Sequence, residues 1–361
     1  MRSFAKNIMI FLSMLAAMGL IVSYLSVFVN PSYFWLIGLA GLASPFLLLL
    51  NLLLLIFWIY KWRLELLIPL FAVALGIPTF SNFFQLQFSN NQSSQEHYLK
   101  VITYNVNLFR LFPWANTPPS HGKIFGFISD QNPDIVTLQE FYVVNSKFTQ
   151  SEATSKLSYY YHISYVVKRR ESAYGLATFS RFPIVHRGEI RFEDTANSCI
   201  YTDIAINGDT VRVYNSHLQS LRLRENNLNF LLNQTVRRDG QPMDEVRDIS
   251  IRYRDAVLKR VQQVKMVTDH IASSPYPVIV CGDFNDFPIS YNYRQMRKNL
   301  SDSFVEAGTG FGQTFRGLSP SLRIDYILYS PIFTALYHKN PHITYSDHYP
   351  VVVKLARNSP Q

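Results

Sequence analysis

The chain predicts a membrane-anchored α/β protein: a two-sheet α/β sandwich preceded by three transmembrane helices. Three observations carry that expectation. The apolar residues crowd into three long runs at the start of the chain. Short β-rich runs separated by turn residues fill the rest, and an amphipathic helix leads directly into one of them. Polar side chains collect at the ends of those runs, where open α/β sheets carry their chemistry.

Ile8 to Val29, Tyr33 to Tyr60 and Leu66 to Phe84 each approach the roughly 20 apolar residues that cross a bilayer. Buried core helices would be shorter and show a polar stripe; a cleaved signal peptide would leave two runs behind as a tether. Pro69, Gly76 and Pro78 interrupt the third run and Glu65 sits at its start, which makes it the weakest. Cations set the orientation. Arg2 and Lys6 precede the first run, Lys61 and Arg63 separate the second from the third, and the loop Asn30 to Ser32 has no charge. Positive loops stay inside, so three crossings put everything after about residue 86 outside. The expectation is a multi-pass protein of the cell inner membrane whose main domain is extracytoplasmic. No charge lies in the middle of the three runs, which argues against a transporter.

Residues 1–88 read as the anchor, 89–98 as a linker opened by the polar stretch Ser89 to Gln95, and 99–361 as the outer domain. Lys100 to Asn107 alternates Val101, Thr103, Asn105 and Asn107 against Ile102, Tyr104 and Val106, a strand whose end turns polar. Ile124, Phe127 and Ile128 stand at helical spacing before the strand Ile135 to Leu138. Tyr160 to Val167, Leu176 to Phe179, Ile184 to Phe192, Ile200 to Ile206 and Val211 to Ser216 are further strands, and Asn207-Gly208-Asp209 is a hairpin signal. Leu258, Val261, Val264, Val267 and Ile271 form one face of a long amphipathic helix that leads into the strand at Pro277. Ile324 to Leu328 and Val351 to Leu355 complete the set.

Of the formal charge of +9, residues 1–98 hold four cations against Glu65 and Glu96, so +7 lies beyond them. A basic surface suits a polyanion or anionic headgroups. Leu221 to Arg254 holds seven arginines and no strand pattern. It reads as a solvated insertion carrying some helix, with a phosphate-binding basic flap as the sharper alternative. Cys199 and Cys281 imply neither a disulfide framework nor a structural zinc site. No Gly-rich P-loop ending in Gly-Lys-Ser/Thr is present, which excludes nucleotide hydrolysis by that route.

The polar residues at strand ends are Asn105, Asn107, Glu140, His217, Asp283, Asn285, Asp325, Asp347 and His348. Carboxylates and amide oxygens without thiolates describe a site for a hard cation, magnesium or manganese, of the kind that holds phosphate. The histidines add an acid, a base or a phosphate donor.

Six blocks now stand in order: Thr103-Tyr104-Asn105-Val106-Asn107, Pro133 to Glu140, Asn215-Ser216-His217-Leu218, Gly282-Asp283-Phe284-Asn285, Arg323-Ile324-Asp325-Tyr326-Ile327 and Ser346-Asp347-His348-Tyr349-Pro350. In them the chain resembles the endonuclease/exonuclease/phosphatase superfamily, with its DNase I-like fold, over about residues 99 to 356. The resemblance implies that Glu140 is the principal metal-binding carboxylate, with Asn105 and Asp347 completing the oxygen shell. It implies that His348 is the catalytic histidine, as base or phosphate ligand, and Asp325 its orienting partner. Asp283 would position or deprotonate water, Asn285 would stabilise pentavalent phosphorus, and His217 would serve as general acid or phosphate contact. Asn107 stands where the DNA-repair branch has Asp, which favours one metal over two. The chain also lacks the Arg that follows the Gly-Asp-Phe-Asn block in inositol polyphosphate phosphatases.

The expected function is a membrane-anchored, magnesium-dependent phosphodiesterase, nuclease-like, using in-line attack of water; manganese is the alternative ion. Its partners would be a nucleic acid or phospholipid substrate and the membrane, with no protein partner. A sphingomyelinase or phospholipase-like hydrolase is the alternative, and a silent phosphate-binding module the third reading.

Overall fold

The computed structural model describes residues 2–86, 98–112, 117–223, 227, 230, 242–316 and 322–358. The expected linker stretch Ser89 to Gln95, and Arg224, Arg237 and Arg238 of the arginine-rich segment, lie outside the described residues. The chain divides into two units, Met1–Phe83 with Phe287–Arg294, and Phe84–Asp286 with Gln295–Gln361.

The first unit is built on three helices, α1 (Arg2–Tyr24), α2 (Leu36–Tyr60) and α3 (Leu67–Phe80). Two rather than three reach the length needed to cross a membrane: Phe4–Val27 and Leu36–Tyr60 do, and Leu64–Phe80 is shorter. Pro78, which lacks a backbone donor, lies inside α3, and the helix ends two residues later. Yet α3 runs alongside α1. Lys6 pairs with Glu65 at 2.7 Å near their starts, and the Tyr24 and Phe80 rings lie 5.8 Å apart near their ends. Between them Tyr24 donates its hydroxyl to Ala72 O at 2.9 Å. Asn51 donates to Ala16 O at 3.0 Å and Trp58 Nε1 to Ser13 Oγ at 2.8 Å, so these buried polar groups of α2 find partners on α1. Phe11, Met18, Leu49, Leu53 and Ile56 face outward and exposed, an apolar surface that water does not favour.

The second unit is the two-sheet sandwich. Its strands are β1 (Leu99–Asn105), β2 (Ile135–Val144), β3 (Tyr160–Lys168), β4 (Ser172–Ser180), β5 (Ile184–Arg191), β6 (Ser198–Ile206), β7 (Asp209–His217), β8 (Val278–Asp283), β9 (Ser301–Asp302), β10 (Asp325–Tyr329), β11 (Phe333–Lys339) and β12 (Val351–Arg357). One sheet has the order β11-β12-β1-β2-β4-β3, the other β5-β6-β7-β8-β10-β9. Each sheet has one parallel pair at its centre, β1 with β2 and β7 with β8, flanked by antiparallel neighbours. Three of these four strands end on polar residues singled out above, β1 on Asn105, β7 on His217 and β8 on Asp283, whereas β2 runs past Glu140 to Val144.

Alternation decides which face each side chain takes. Val101, Ile135, Val351 and Val353 meet Val213, Ile279, Cys281 and Ile327 in the core between the sheets, so Cys281 is a small buried hydrophobe. On the other face, Tyr104, Val136, Leu138 and Phe179 pack under Ile124, Phe125 and Ile128 of α4 (His121–Gln131). The long helix Pro242–Ala272 buries Tyr253, Ala256, Val257, Val264 and Val267, and Tyr214 of β7 places its hydroxyl 2.8 Å from His270 Nδ1. This helix starts well before the amphipathic run expected for it, so Arg247, Arg252 and Arg254 are helical; Arg252 pairs with Asp248 one turn away at 2.9 Å. Asn207 and Gly208, with φ of 51° and 88°, close the β6–β7 hairpin as expected. β11 was not expected, because a register shift between Ala335 and Tyr337 breaks its alternation.

Two buried histidines make stability depend on acid. His162 lies 3.0 Å from Thr202 Oγ1, and His338 contacts Ser303 Oγ at 2.9 Å and Asn340 Oδ1 at 3.0 Å. Burial lowers both rings from 6.5 to about 4. Their folded values are depressed, so the unfolded chain binds protons that the folded rings refuse. The neutral rings' contribution is intact above pH 6.5 and is lost as pH falls toward 4, by about 2 kcal/mol per ring between pH 7 and 5. Denaturant titration of the full chain in detergent should show that difference shrinking by one ring's share in His338→Gln. An unaltered pH dependence in the variant would contradict it.

Candidate active site

The sandwich gathers the predicted site residues at one edge. β1 ends at Asn105, β7 at His217 and β8 at Asp283, while Asp325 opens β10 opposite Asp283 in the ladder. His217 is also a ladder partner of Asp283, across the parallel pair. Asn105 Nδ2 donates to Asp283 Oδ2 at 3.0 Å and to Glu140 Oε1 at 3.4 Å, joining the two sheets. His217 Nε2 lies 3.9 Å from Glu140 Oε1 and 3.8 Å from Asp283 Oδ2. His348 donates from Nδ1 to Asp325 Oδ2 at 2.9 Å and turns Nε2 to within 3.8 Å of Asp283 Oδ2. Ser346 ties this loop down, donating to Asn105 O at 2.8 Å and lying 3.1 Å from Asp347 Oδ1. Asn285 donates its backbone N–H to Asp283 Oδ1 at 2.8 Å and its amide to Leu218 O at 3.0 Å.

Three irregular stretches of backbone set these positions. Glu140 takes φ of 54° in a bulge of β2, between Leu138 and Phe141, so it leaves the alternation and points to the edge. Asn107, Leu108, Phe109 and Arg110 all have φ between 46° and 55°, a left-handed turn directly after β1. Such residues cost roughly 1–2 kcal/mol each, and only a packed surrounding holds them there. Asn107 N–H donates to Asn105 Oδ1 at 3.1 Å, so Asn107 enters the site through its backbone. Gly282, at φ of 136°, lets β7 and β8 approach beside Asp283.

The electrostatics divide the two histidines. Burial, then His348 and Arg222, lower His217 to about 3, so it is a neutral ring. Burial alone would lower His348 too, but Asp325 and Asp283 outweigh it and hold the ring well above 6.5. Burial and then Asp325 push Asp283 up; burial and then Asp347 raise Glu140, whose side chain keeps 26% of its surface exposed. Carboxylates crowded until they resist ionising form a place that a divalent cation would stabilise. Glu140 and Asp347 offer oxygens for it. Asn105 turns its nitrogen to the carboxylates, so it would have to rotate its amide to add Oδ1. Asp283, Asp325 and His348 also bring ligand atoms within 4.8 Å of one another, but the Asp325–His348 bond already occupies two of these groups.

Several contributors had no strong sequence signal. The Tyr174 hydroxyl lies 3.2 Å from His217 Nδ1, and only its place on an extended β4 could have marked it. Arg316 donates its backbone N–H to Asp347 O at 2.9 Å and Nη1 to Ser346 O at 3.1 Å. Gln139 Nε2 donates to Asn215 Oδ1 at 2.7 Å across the buried space between the sheets. Arg260 pairs with Asp286 at 3.3 Å and donates to Gln219 O at 2.9 Å, bracing the loops after β7 and β8.

Two mixed sheets whose central strands present carboxylates, amides and an Asp-His pair at one edge define a DNase I-like α/β sandwich. A family model described as "Endonuclease/Exonuclease/phosphatase family" matches residues 102–348, and the chain belongs to that family. Residues 6–83 match a second model, described as a domain of unknown function. Among solved structures, the chain is similar to an endonuclease/exonuclease/phosphatase from Beutenbergia cavernae, with TM-score 0.52 and 20% identity over 72% of each chain. It is also similar to the human Nocturnin catalytic domain with bound sulfate, with TM-score 0.52 and 19% identity over 72% of this chain and 94% of that one. A Bacteroides vulgatus endonuclease/exonuclease/phosphatase gives TM-score 0.51 and 15% identity over 73% and 100%. At these identities the likeness is one of fold. No curated protein matches the sequence.

Proposed function

We propose that this protein is a membrane-anchored, divalent-metal-dependent phosphodiesterase of nuclease-like specificity. The observation that carries the reading is His348, held by Asp325 and directed at Asp283, at the same edge as Glu140 and Asn105. A cation held by Glu140 and Asp347, with Asn105, would supply charge for the developing phosphorane. His348, cationic between two carboxylates, contacts a phosphate oxygen through Nε2. Asp283 accepts the proton of the attacking water, and its raised pKa brings it near neutrality. Neutral His217 offers an N–H to the phosphate without a full charge, with Tyr174 setting its ring. The Asn285 amide, bonded to Leu218 O, lies beside Asp283 as a further donor.

Full-length protein in detergent, assayed with magnesium or manganese, should cleave plasmid DNA or RNA, and EDTA should abolish cleavage. Activity that persists in EDTA would refute the metal dependence, and cleavage of none of these with sphingomyelin and phosphoinositides also intact would refute the phosphodiesterase reading. The exposed apolar helices favour one second reading, a phospholipase or sphingomyelinase-like activity on headgroups beside the anchor. The same assay separates the two.

The helices are read as an inner-membrane anchor. Leu64–Phe80 is shorter than the other two helices, but because it keeps to the level of α1 from Lys6–Glu65 to Tyr24–Phe80, we take it as a third crossing, with the catalytic unit extracytoplasmic. An alkaline phosphatase fused at the C-terminus should be active; a silent phosphatase with an active cytoplasmic reporter would reverse the orientation.

A further inference from the structure

Beside the site lies a cleft of about 370 Å³ lined by Leu108, Phe112, Tyr142, Val167, Arg169, Ser172, Tyr174 and Ala196. Its volume is that of a small-ligand pocket. Three of its walls are continuous with the catalytic edge. Tyr174 is the residue whose hydroxyl contacts His217, Tyr142 follows Glu140 by two positions on β2, and Leu108 belongs to the left-handed turn that begins two residues after Asn105. The strain in that turn places Leu108 at the cleft, and nothing in the chemistry described above uses it. Cationic groups lie in and near its lining. Arg169 lines the cleft on the tight β3–β4 hairpin, while Arg222 reaches Thr195 Oγ1 at 3.5 Å, next to Ala196.

Building on the phosphodiesterase reading, we propose that this cleft seats a nucleobase of one nucleoside flanking the scissile phosphate. Phe112, Tyr142 and Tyr174 are its stacking surfaces, and Arg169 and Arg222 attract the neighbouring phosphate. The composition decides between occupants. Three aromatic rings with a guanidinium and hydroxyls match a flat, polar-edged ring in a polyanion. An acyl chain would gain nothing from Arg169, Ser172 or the tyrosine hydroxyls, which it would desolvate. Reading a base by stacking alone tolerates any base, so the cleft selects for a nucleotide rather than for a sequence.

The test compares thymidylyl-thymidine with its two abasic analogues, each lacking one thymine, on full-length protein in detergent with magnesium. Wild type should prefer the intact dinucleotide to one of the analogues in kcat/KM. That preference should fall by roughly tenfold in Tyr142→Ala and in Phe112→Ala and be kept in Tyr142→Phe and Phe112→Trp. A preference unchanged in the alanine variants overturns the proposal, as does a loss confined to sphingomyelin vesicles, which would make the cleft a lipid site. Titration calorimetry of thymidylyl-thymidine in EDTA reads the cleft without turnover. About tenfold weaker binding by Phe112→Ala supports the proposal, and equal or undetectable binding by both proteins overturns it. If wild type cleaves only sphingomyelin, in a manner that His348 controls, the phosphodiesterase reading stands and the base cleft alone fails.

Discussion

Replacing His348 with alanine should lower kcat on a diester substrate by roughly 10²- to 10⁴-fold, with a much smaller change in KM. The ring joins Asp325 to Asp283, with Nδ1 at 2.9 Å from the first and Nε2 at 3.8 Å from the second. Its removal takes away the buried cation of the site and leaves two carboxylates facing each other without it. Asp325 Oδ1 already has no hydrogen-bond partner among the described residues, so the loss of the Oδ2 contact strips a buried carboxylate altogether. The variant should therefore also melt lower, and far-ultraviolet circular dichroism at the assay temperature separates inactivity from unfolding. Asp325→Asn should fall between wild type and His348→Ala, because the ring stays but loses the charge that orients it. A folded His348→Ala protein with wild-type kcat would remove His348 from the chemistry.

Gly282→Ala should cost on the order of 3–5 kcal/mol and inactivate whatever folds. A Cβ at this position would stand 1.9 Å from Ser216 O and 2.8 Å from Ser216 N, both backbone atoms of the paired strand. A flexible side chain could move aside, but these atoms are held by the β7–β8 ladder, and φ of 136° disfavours any L side chain. The only relief is separation of the strands, and the next ladder pair is His217 with Asp283. Chemical denaturation measures the first effect. The second appears as lost turnover in protein that is folded at low temperature; a stable, active variant would contradict the close approach.

The site was legible in the sequence to the extent that its residues stand at strand ends. Asn105 lies near the end of an alternating run that was expected to reach Asn107 but stops at Asn105, Asp283 follows an apolar run, and Asp347-His348 precedes another, so the limits of the runs assigned each to an edge. Glu140 is the instructive exception. Alternation carried through β2 does not announce that Gln139 will bond across the sheets to Asn215 while Glu140 escapes at φ of 54°. A bulge is decided by what the neighbouring strand offers, and β4 begins 32 positions after Glu140, pairing Phe141 with Gly175 and Leu138 with Ala177. The left-handed turn from Asn107 to Arg110 was equally silent, since none of the four is glycine.

The N-terminal helices illustrate the same division. Apolar length alone distinguished α1 and α2, which meet the length for a crossing, and composition marked α3 as the weak one through Pro69, Gly76 and Pro78. That α3 nevertheless stands beside α1 follows from pairs such as Lys6 with Glu65, whose distance in sequence hides their contact.

By itself the sequence determined the α/β class, the apolar N-terminal helices, and the kinds of side chain at the candidate site. Periodicity and composition are local, and each is written in a few consecutive residues. The tertiary structure alone decided that His348 is the charged ring and His217 the neutral one, that Tyr174 and Arg260 support the site, and that a strained turn opens an aromatic cleft beside it. Those properties depend on burial and on charges brought together from distant strands, quantities that no stretch of sequence contains until the two sheets close on each other.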